Sequence, residues 1–232
     1  MCKGNRVLVA CLAVAAGLCL AGSAYALSIN EIRMDNTGTD TDEYFELLGA
    51  PGQSLAGYTY LVIGDGTGGC GIVECVVPLS AYTIPSDSYL AVCRTAGTLG
   101  GYDVTGVTAI NFENTDNTTH MLVYNFTGTL NQDLDTNNDG VLDITPWAGL
   151  VDAVGIRSLA TVDCVTYEYV YATNLVGPDG TAVPAQVYRC GDGWYVGTLS
   201  LSGGYDSPGM ENPECAVGVE ESSWGQLKET YR

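Results

Sequence analysis

Short apolar runs with alternating side chains, and almost no helical periodicity between them, leave this chain few ways to fold. Residues 27–34, 43–48, 58–63, 89–93, 108–112, 120–126, 150–156, 165–171 and 186–190 are rich in Val, Ile, Tyr and Leu. Polar clusters such as Asp65-Gly-Thr-Gly-Gly and Gly177-Pro-Asp-Gly separate them. β-branched and aromatic side chains suit a pleated surface, and the clusters hold the residues that tight turns require. About nine short strands punctuated in this way predict an all-β fold, an antiparallel sandwich or barrel. Successive strand side chains point to opposite faces. Phe45 and Leu47 are therefore expected to face the core, and Glu43, on the same face, needs a partner at the rim.

Residues 1–26 stand outside that pattern. Lys3 and Arg6 precede an apolar run over 7–20, and Ala24-Tyr25-Ala26 closes it, the order of a secretory signal. The run is shorter than the roughly 20 residues that span a bilayer, so a soluble exported chain without a transmembrane segment is expected. It carries six basic residues against 27 acidic ones, a formal charge of −21. Nucleic acids and anionic membranes bind clustered Lys and Arg, so neither is an expected partner. Six cysteines remain: Cys70, Cys75, Cys93, Cys164, Cys190 and Cys215. An even count in an exported protein argues for disulfides, with the pairing open; Cys70 and Cys75 flank Gly-Ile-Val-Glu as if to close a small loop. Zinc is not expected, because no C-x-x-C pair exists and His120 is the only histidine.

The alternation stops after Ser207-Pro-Gly-Met-Glu-Asn212, which ends a domain over 27–213. In the tail, 214–232, a polar linker leads to Trp224, Leu227 and Tyr231 on one face of a short helix, with Lys228 and Arg232 beside them. About nine residues cannot hold a helix alone in water. The tail is expected to fray, the other reading being a recognition or sorting signal.

The stretch DLDTNNDGVLD, residues 133–143, carries the most chemistry. Asp135, Asn137 and Asp139 take the first three side-chain positions of an EF-hand-type loop. Gly140 follows as the turn glycine, Val141 lends a carbonyl, and Asp143 comes two residues later; Asp133 adds a carboxylate from just outside. Pro146 stands where a bidentate Glu belongs, and neither flank reads as a helix, so a calcium sensor that swings open is excluded. Weak, structural calcium binding by Asp133, Asp135, Asn137, Asp139, Val141 and Asp143 is expected. The alternative is an Asn-Asp-Gly turn in a solvated acidic loop. Without an ion five acids, counting Asp152, would crowd this loop. A second acidic patch, 35–42, reads as an ordinary solvated turn. Asn117-Thr-Thr119 and Asn125-Phe-Thr127 match the glycosylation pattern.

Catalytic signatures are scarce: no G-x-S-x-G, H-E-x-x-H, P-loop or helix-opening G-x-G-x-x-G occurs. His120 opens a strand and reads as a structural, hydrogen-bonding histidine. Glu31 and Glu46, facing each other on neighbouring strands, would give a glycosidase-like pair. The alternative to a non-catalytic chain is thus an exported metal-dependent hydrolase, glycosidase- or phosphoesterase-like, built on acidic residues.

Ile29-Asn-Glu-Ile32 followed by Glu43-Tyr-Phe-Glu-Leu47 resembles the opening strands of the lamin tail domain family. Ser54-Leu-Ala-Gly-Tyr58, Ile84-Pro-Ser-Asp-Ser-Tyr-Leu-Ala91, Leu150-Val-Asp-Ala-Val154 and Ser207-Pro-Gly-Met-Glu-Asn212 are similar to its later motifs and keep their order. Asn111-Phe-Glu-Asn-Thr-Asp-Asn-Thr-Thr-His120 resembles a bacterial secreted subgroup. Two departures are Gly49-Ala-Pro-Gly-Gln53, in place of an Asn-x-Gly turn, and an enlarged loop over 131–150. The resemblance implies an immunoglobulin-like antiparallel β-sandwich, with Glu31 and Glu46 as determinants of the fold. It also implies a module rather than an enzyme: a secreted unit, extracellular, cell-surface or periplasmic, that binds a protein or polysaccharide or serves in structure and adhesion.

Overall fold

The alternating runs become strands where a second layer can bury one of their faces. These are β1 (Ser28–Arg33), β2 (Tyr44–Leu48), β3 (Tyr58–Gly66), β4 (Gly69–Pro78), β5 (Tyr89–Cys93), β6 (Thr118–Tyr124), β7 (Gly149–Ile156), β8 (Leu175–Val176), β9 (Gln186–Cys190) and β10 (Gly193–Val196). The first sheet runs β10-β9-β1-β2-β5 and is antiparallel throughout. The second runs β4-β3-β6-β7-β8, antiparallel except for the β7–β8 pair. The computed structural model describes residues 25–66, 69–158, 169–201 and 204–213; the signal-like stretch up to residue 24 and the tail from residue 214 lie outside them.

Between the sheets, Ile29, Ile32, Phe45 and Leu47 meet Tyr60, Val62, Leu122 and Val154, all buried. Phe45 stacks on Tyr60 with ring centroids 3.7 Å apart. The Tyr60 hydroxyl reaches Nδ1 of His120 at 2.7 Å, and Nε2 of His120 lies 3.2 Å from Thr118 Oγ1. Complete burial pushes the imidazole down to about 3, which leaves a neutral, structural ring, as expected from the sequence. Glu43 finds its partners in Arg94 and in the backbone N–H of Phe112, 2.6 Å from Oε1.

The outer faces are covered as well, by different chemistry. Leu61, Ile63, Val73, Met121, Val123 and Ala153 on the second sheet lie under Leu134, with Leu142 and Trp147 packed alongside. The loop entering β7 is thus a roof. Its start also caps the β4 edge, where Asn131 N–H and Leu134 N–H donate to Val73 and Gly71 carbonyls at 2.8 and 2.9 Å. The outer face of the first sheet is polar: Glu31, Arg33, Tyr44, Glu46, Gln186 and Tyr188 alternate with core residues, yet all are buried. Residues 197–201 and 204–213 cover them.

Several expectations are corrected. Residues 108–112 form no strand; Ile110 N–H donates to the Val107 carbonyl in a turn, and Ile110 and Phe112 plug the core where the chain crosses from the first sheet to the second. Of the run 165–171, the first four residues lie outside the described ones and the last three are not strand. β4, β8 and β10, short or glycine-bearing, had no alternating signal. Cys75 is a buried free thiol, as is Cys93, so no Cys70–Cys75 loop closes. Both residues lie on β4, where an extended strand holds them roughly 15 Å apart, beyond disulfide reach. Asn117 is buried with its Oδ1 accepting the Ser158 N–H at 2.8 Å, which removes it as a glycosylation site; Asn125 is exposed in a turn.

Candidate functional site

The acidic loop curls around Asp135, which is fully buried. Its Oδ1 accepts the Asp139 N–H at 3.1 Å, and Oδ2 accepts the Gly140 N–H at 2.9 Å and the Tyr171 hydroxyl at 2.8 Å. Asn137 Oδ1 shares the Asp139 N–H, and Asp139 Oδ1 accepts from Val141 N at 2.9 Å. Gly140 sits at φ +85°, and a Cβ there would meet the Tyr169 ring at 2.8 Å, so both turn and packing require glycine. Asn138 Oδ1 accepts the Cys70 N–H and fastens the loop to β4. Asp135, Asn137 and Asp139 are thereby brought together. Asp143 is tied to Thr136 Oγ1 at 2.7 Å, Asp133 accepts the Asp135 N–H at 3.0 Å, and Val141 is largely exposed. Among the described residues no three His, Cys, Asp or Glu side chains converge on one point.

Asp152, counted from the sequence among the acids of this loop, belongs elsewhere. It lies in mid-β7, just before the buried residues 153–156, and its Oδ2 accepts the Ile29 N–H at 2.9 Å and pairs with Arg189 at 2.6 Å. The residue is a rivet between the two sheets. Asp133 instead lines an open acidic cleft of about 450 Å³ with Asp65, Glu74, Glu113, Asn111 and Asn131.

Glu31 and Glu46 are register partners on β1 and β2, as a carboxylate pair would require, but neither is exposed. Ser207 donates to Glu31 from its N–H at 3.2 Å and from Oγ at 2.9 Å, and Gln186 Nε2 adds a third bond. Asn30 Nδ2 donates to Glu46 Oε1 at 2.7 Å and Gly209 N–H to Oε2 at 2.6 Å. Asn212 completes the clasp by donating to the Asn30 and Arg189 carbonyls at 3.1 and 2.7 Å. Gly209 sits at φ +77°, where a Cβ would lie 2.6 Å from the Gly101 carbonyl. The motif residues of both chain ends therefore form one buried network. Arg33, which sequence reasoning passed over, anchors its near end: it pairs with Asp206 and donates to the Asp35 and Thr198 carbonyls. The available signal was a basic residue inside an apolar run.

Neighbouring buried acids end on opposite sides of the ordinary carboxylate range, according to how far their donors offset desolvation. Burial pushes Glu31 up to about 7 and Glu46 up to about 9, against donors too few to offset it and with like charge beside each, Asp206 at Glu31 and Glu31 at Glu46. Asp42 is also buried and also opposed by desolvation. Its oxygens, however, accept from Thr98 N–H and Oγ1, Leu99 N–H, Thr41 Oγ1 and the Tyr102 hydroxyl. These hold it below the ordinary carboxylate range. The patch 35–42 is thus only partly a solvated turn, because Asn36 and Asp42 are buried in it.

No family model, curated protein or solved structure matches the chain.

Proposed function

We propose that this chain is an exported, non-catalytic module of the lamin-tail kind, an immunoglobulin-like sandwich with disulfides and a calcium-stabilised loop. It acts outside the cytoplasm as a binding or structural unit toward a protein or polysaccharide. One observation carries the non-catalytic part. Asn30, Glu31, Glu46, Ser207, Gly209 and Asn212, from the first two and the last of the resembling motifs, are consumed in one buried clasp. A general acid or nucleophile must reach its substrate, and Glu31 and Glu46 are closed off from solvent.

Calcium is supported by the backbone of the acidic loop. Its N–H groups hold the oxygens of Asp135, Asn137 and Asp139 side by side, and hard oxygen donors on a tight turn suit this cation. The disulfide reading is supported by Cys70 and Cys190, which are not among the free cysteines. Together with Cys164 and Cys215 they leave an even set once Cys75 and Cys93 are free.

The test is thermal melting of the secreted protein with calcium and with chelator, joined to a turnover screen on glycosides and phosphoesters. A calcium-dependent rise in melting temperature with no turnover is expected. Turnover abolished by Glu31→Gln or Glu46→Gln would overturn the non-catalytic reading.

A further inference from the structure

The strap 207–212 is attached to the first sheet almost wholly by polar bonds, and those from Ser207 and Gly209 end on two carboxyl groups. Ser207 and Gly209 donate to Glu31 and Glu46, and Asn212 reaches over Asn30. Pro208 is buried, whereas Met210 and Glu211 are exposed, so little apolar contact holds the strap. The two glutamates are directly opposite on adjacent antiparallel strands. The cations of this face are committed elsewhere, Arg33 to Asp206 and Arg189 to Asp152.

We propose that the strap 207–212 is a proton-gated latch. It closes over the outer face of the first sheet while Glu31 and Glu46 carry protons, and lifts as they ionise, with the sandwich beneath still folded.

Desolvation of the pair and its charged neighbours act in this direction, against the hydrogen bonds from Tyr44, Ser207, Gln186, Asn30 and Gly209, which favour the ionised forms. Glu31 faces Tyr44 from β2, Gln186 and Tyr188 from β9, and Ser207 and Asp206 from the covering segment. Glu46 faces Asn30 and Glu31 from β1, Asp103 from the stretch after β5, Tyr89 on β5 and Gly209. Every charged neighbour in this set is an acid. A second ionised carboxylate therefore gains no counter-charge in the closed state, and it recovers hydration only when the strap lifts. Since burial raises both groups, the closed state is favoured in acid and loses that preference as pH rises toward about 7 and about 9. The rest of the first sheet has its own support, the apolar core on its other face.

Hydrogen exchange on the full secreted chain tests this, as protection factors of the Ser207 and Gly209 amides from pH 5.5 to 8.5, corrected for intrinsic exchange. Protection at both is expected to fall at least about tenfold, the effect of one titrating group over one pH unit, while β3 amides and far-UV circular dichroism stay unchanged. In Glu46→Gln and in Glu31→Gln the slope with pH is expected to flatten, whatever the level of protection. The slope of the wild-type chain is informative even if a variant does not fold. A flat wild-type profile, an unaltered slope in both variants, or loss of the β3 amides together with the strap would each overturn the latch.

Discussion

Leu134 offers a measurement of what the roof over the second sheet contributes. The side chain is fully buried against Leu61, Ile63, Val73, Met121 and Val123, and it sits one residue from both Asp133 and Asp135. Leu134→Ala removes that contact and leaves a cavity. Buried Leu→Ala changes cost about 2–5 kcal/mol depending on how far the site collapses. The loop backbone around it is fixed by the Leu134 N–H to Gly71 and by the Leu134 carbonyl, which accepts from Asp143 and Ile144. Collapse is thereby limited, and about 3 kcal/mol is expected. In a domain of this size that corresponds to a fall in melting temperature of about 6–12 °C. Val141→Ala is the control: it lies in the same loop but is 66% exposed, and should cost within about 0.5 kcal/mol. Urea unfolding of both variants, with unchanged m, measures the difference. A cost below about 1 kcal/mol for Leu134→Ala, or equal costs for the two, would refute the roof.

Calcium at about ten times its dissociation constant should add about 1.4 kcal/mol, or about 3–6 °C in melting temperature. The increment should disappear with chelator and in Asp139→Asn; no shift in the wild-type chain removes the calcium reading. Asp42→Asn puts an amide N–H₂ among five donors and should cost about 2–4 kcal/mol by the same urea assay. Only two thiols, Cys75 and Cys93, should become reactive to a thiol reagent when the unreduced chain is unfolded, and neither in the native state, where burial pushes Cys75 up to about 12 and raises Cys93 too. Six reactive thiols would remove the disulfides.

The strands that were legible from the sequence are those buried on one face by the opposite sheet. Tyr89–Cys93 and Gln186–Cys190 were bounded correctly, and β1, β2, β3, β6 and β7 to within a few residues. Alternation misled at 108–112, because Ile110 and Phe112 alternate inward from an irregular crossing rather than from a ladder. It was silent on β4, whose glycines and cysteines obscure the pattern. On the acidic loop, Asp135, Asn137 and Asp139 share one turn, a local structure that spacing can reach. Spacing placed Asp152 in the wrong company, because its partners Ile29 and Arg189 are 123 and 37 residues away in sequence.

The pH dependence of stability joins these observations, because one limb comes from the loop entering β2 and the other from β1 and β2 themselves. Asp42 has a folded value below the ordinary one, so its contribution is present above the ordinary carboxylate range and is lost as pH falls through the lower folded value. Glu31 and Glu46 have folded values above the unfolded one of 4.5; their contribution is present below that value and is lost as pH rises through about 7 and about 9. Stability should therefore be greatest in weak acid and decline on both sides. Asp42→Asn should flatten the acid limb alone and Glu46→Gln the alkaline limb alone, measured as melting temperature from pH 3 to 9. If both variants changed the same limb, or neither did, donor count would not be what separates these buried acids.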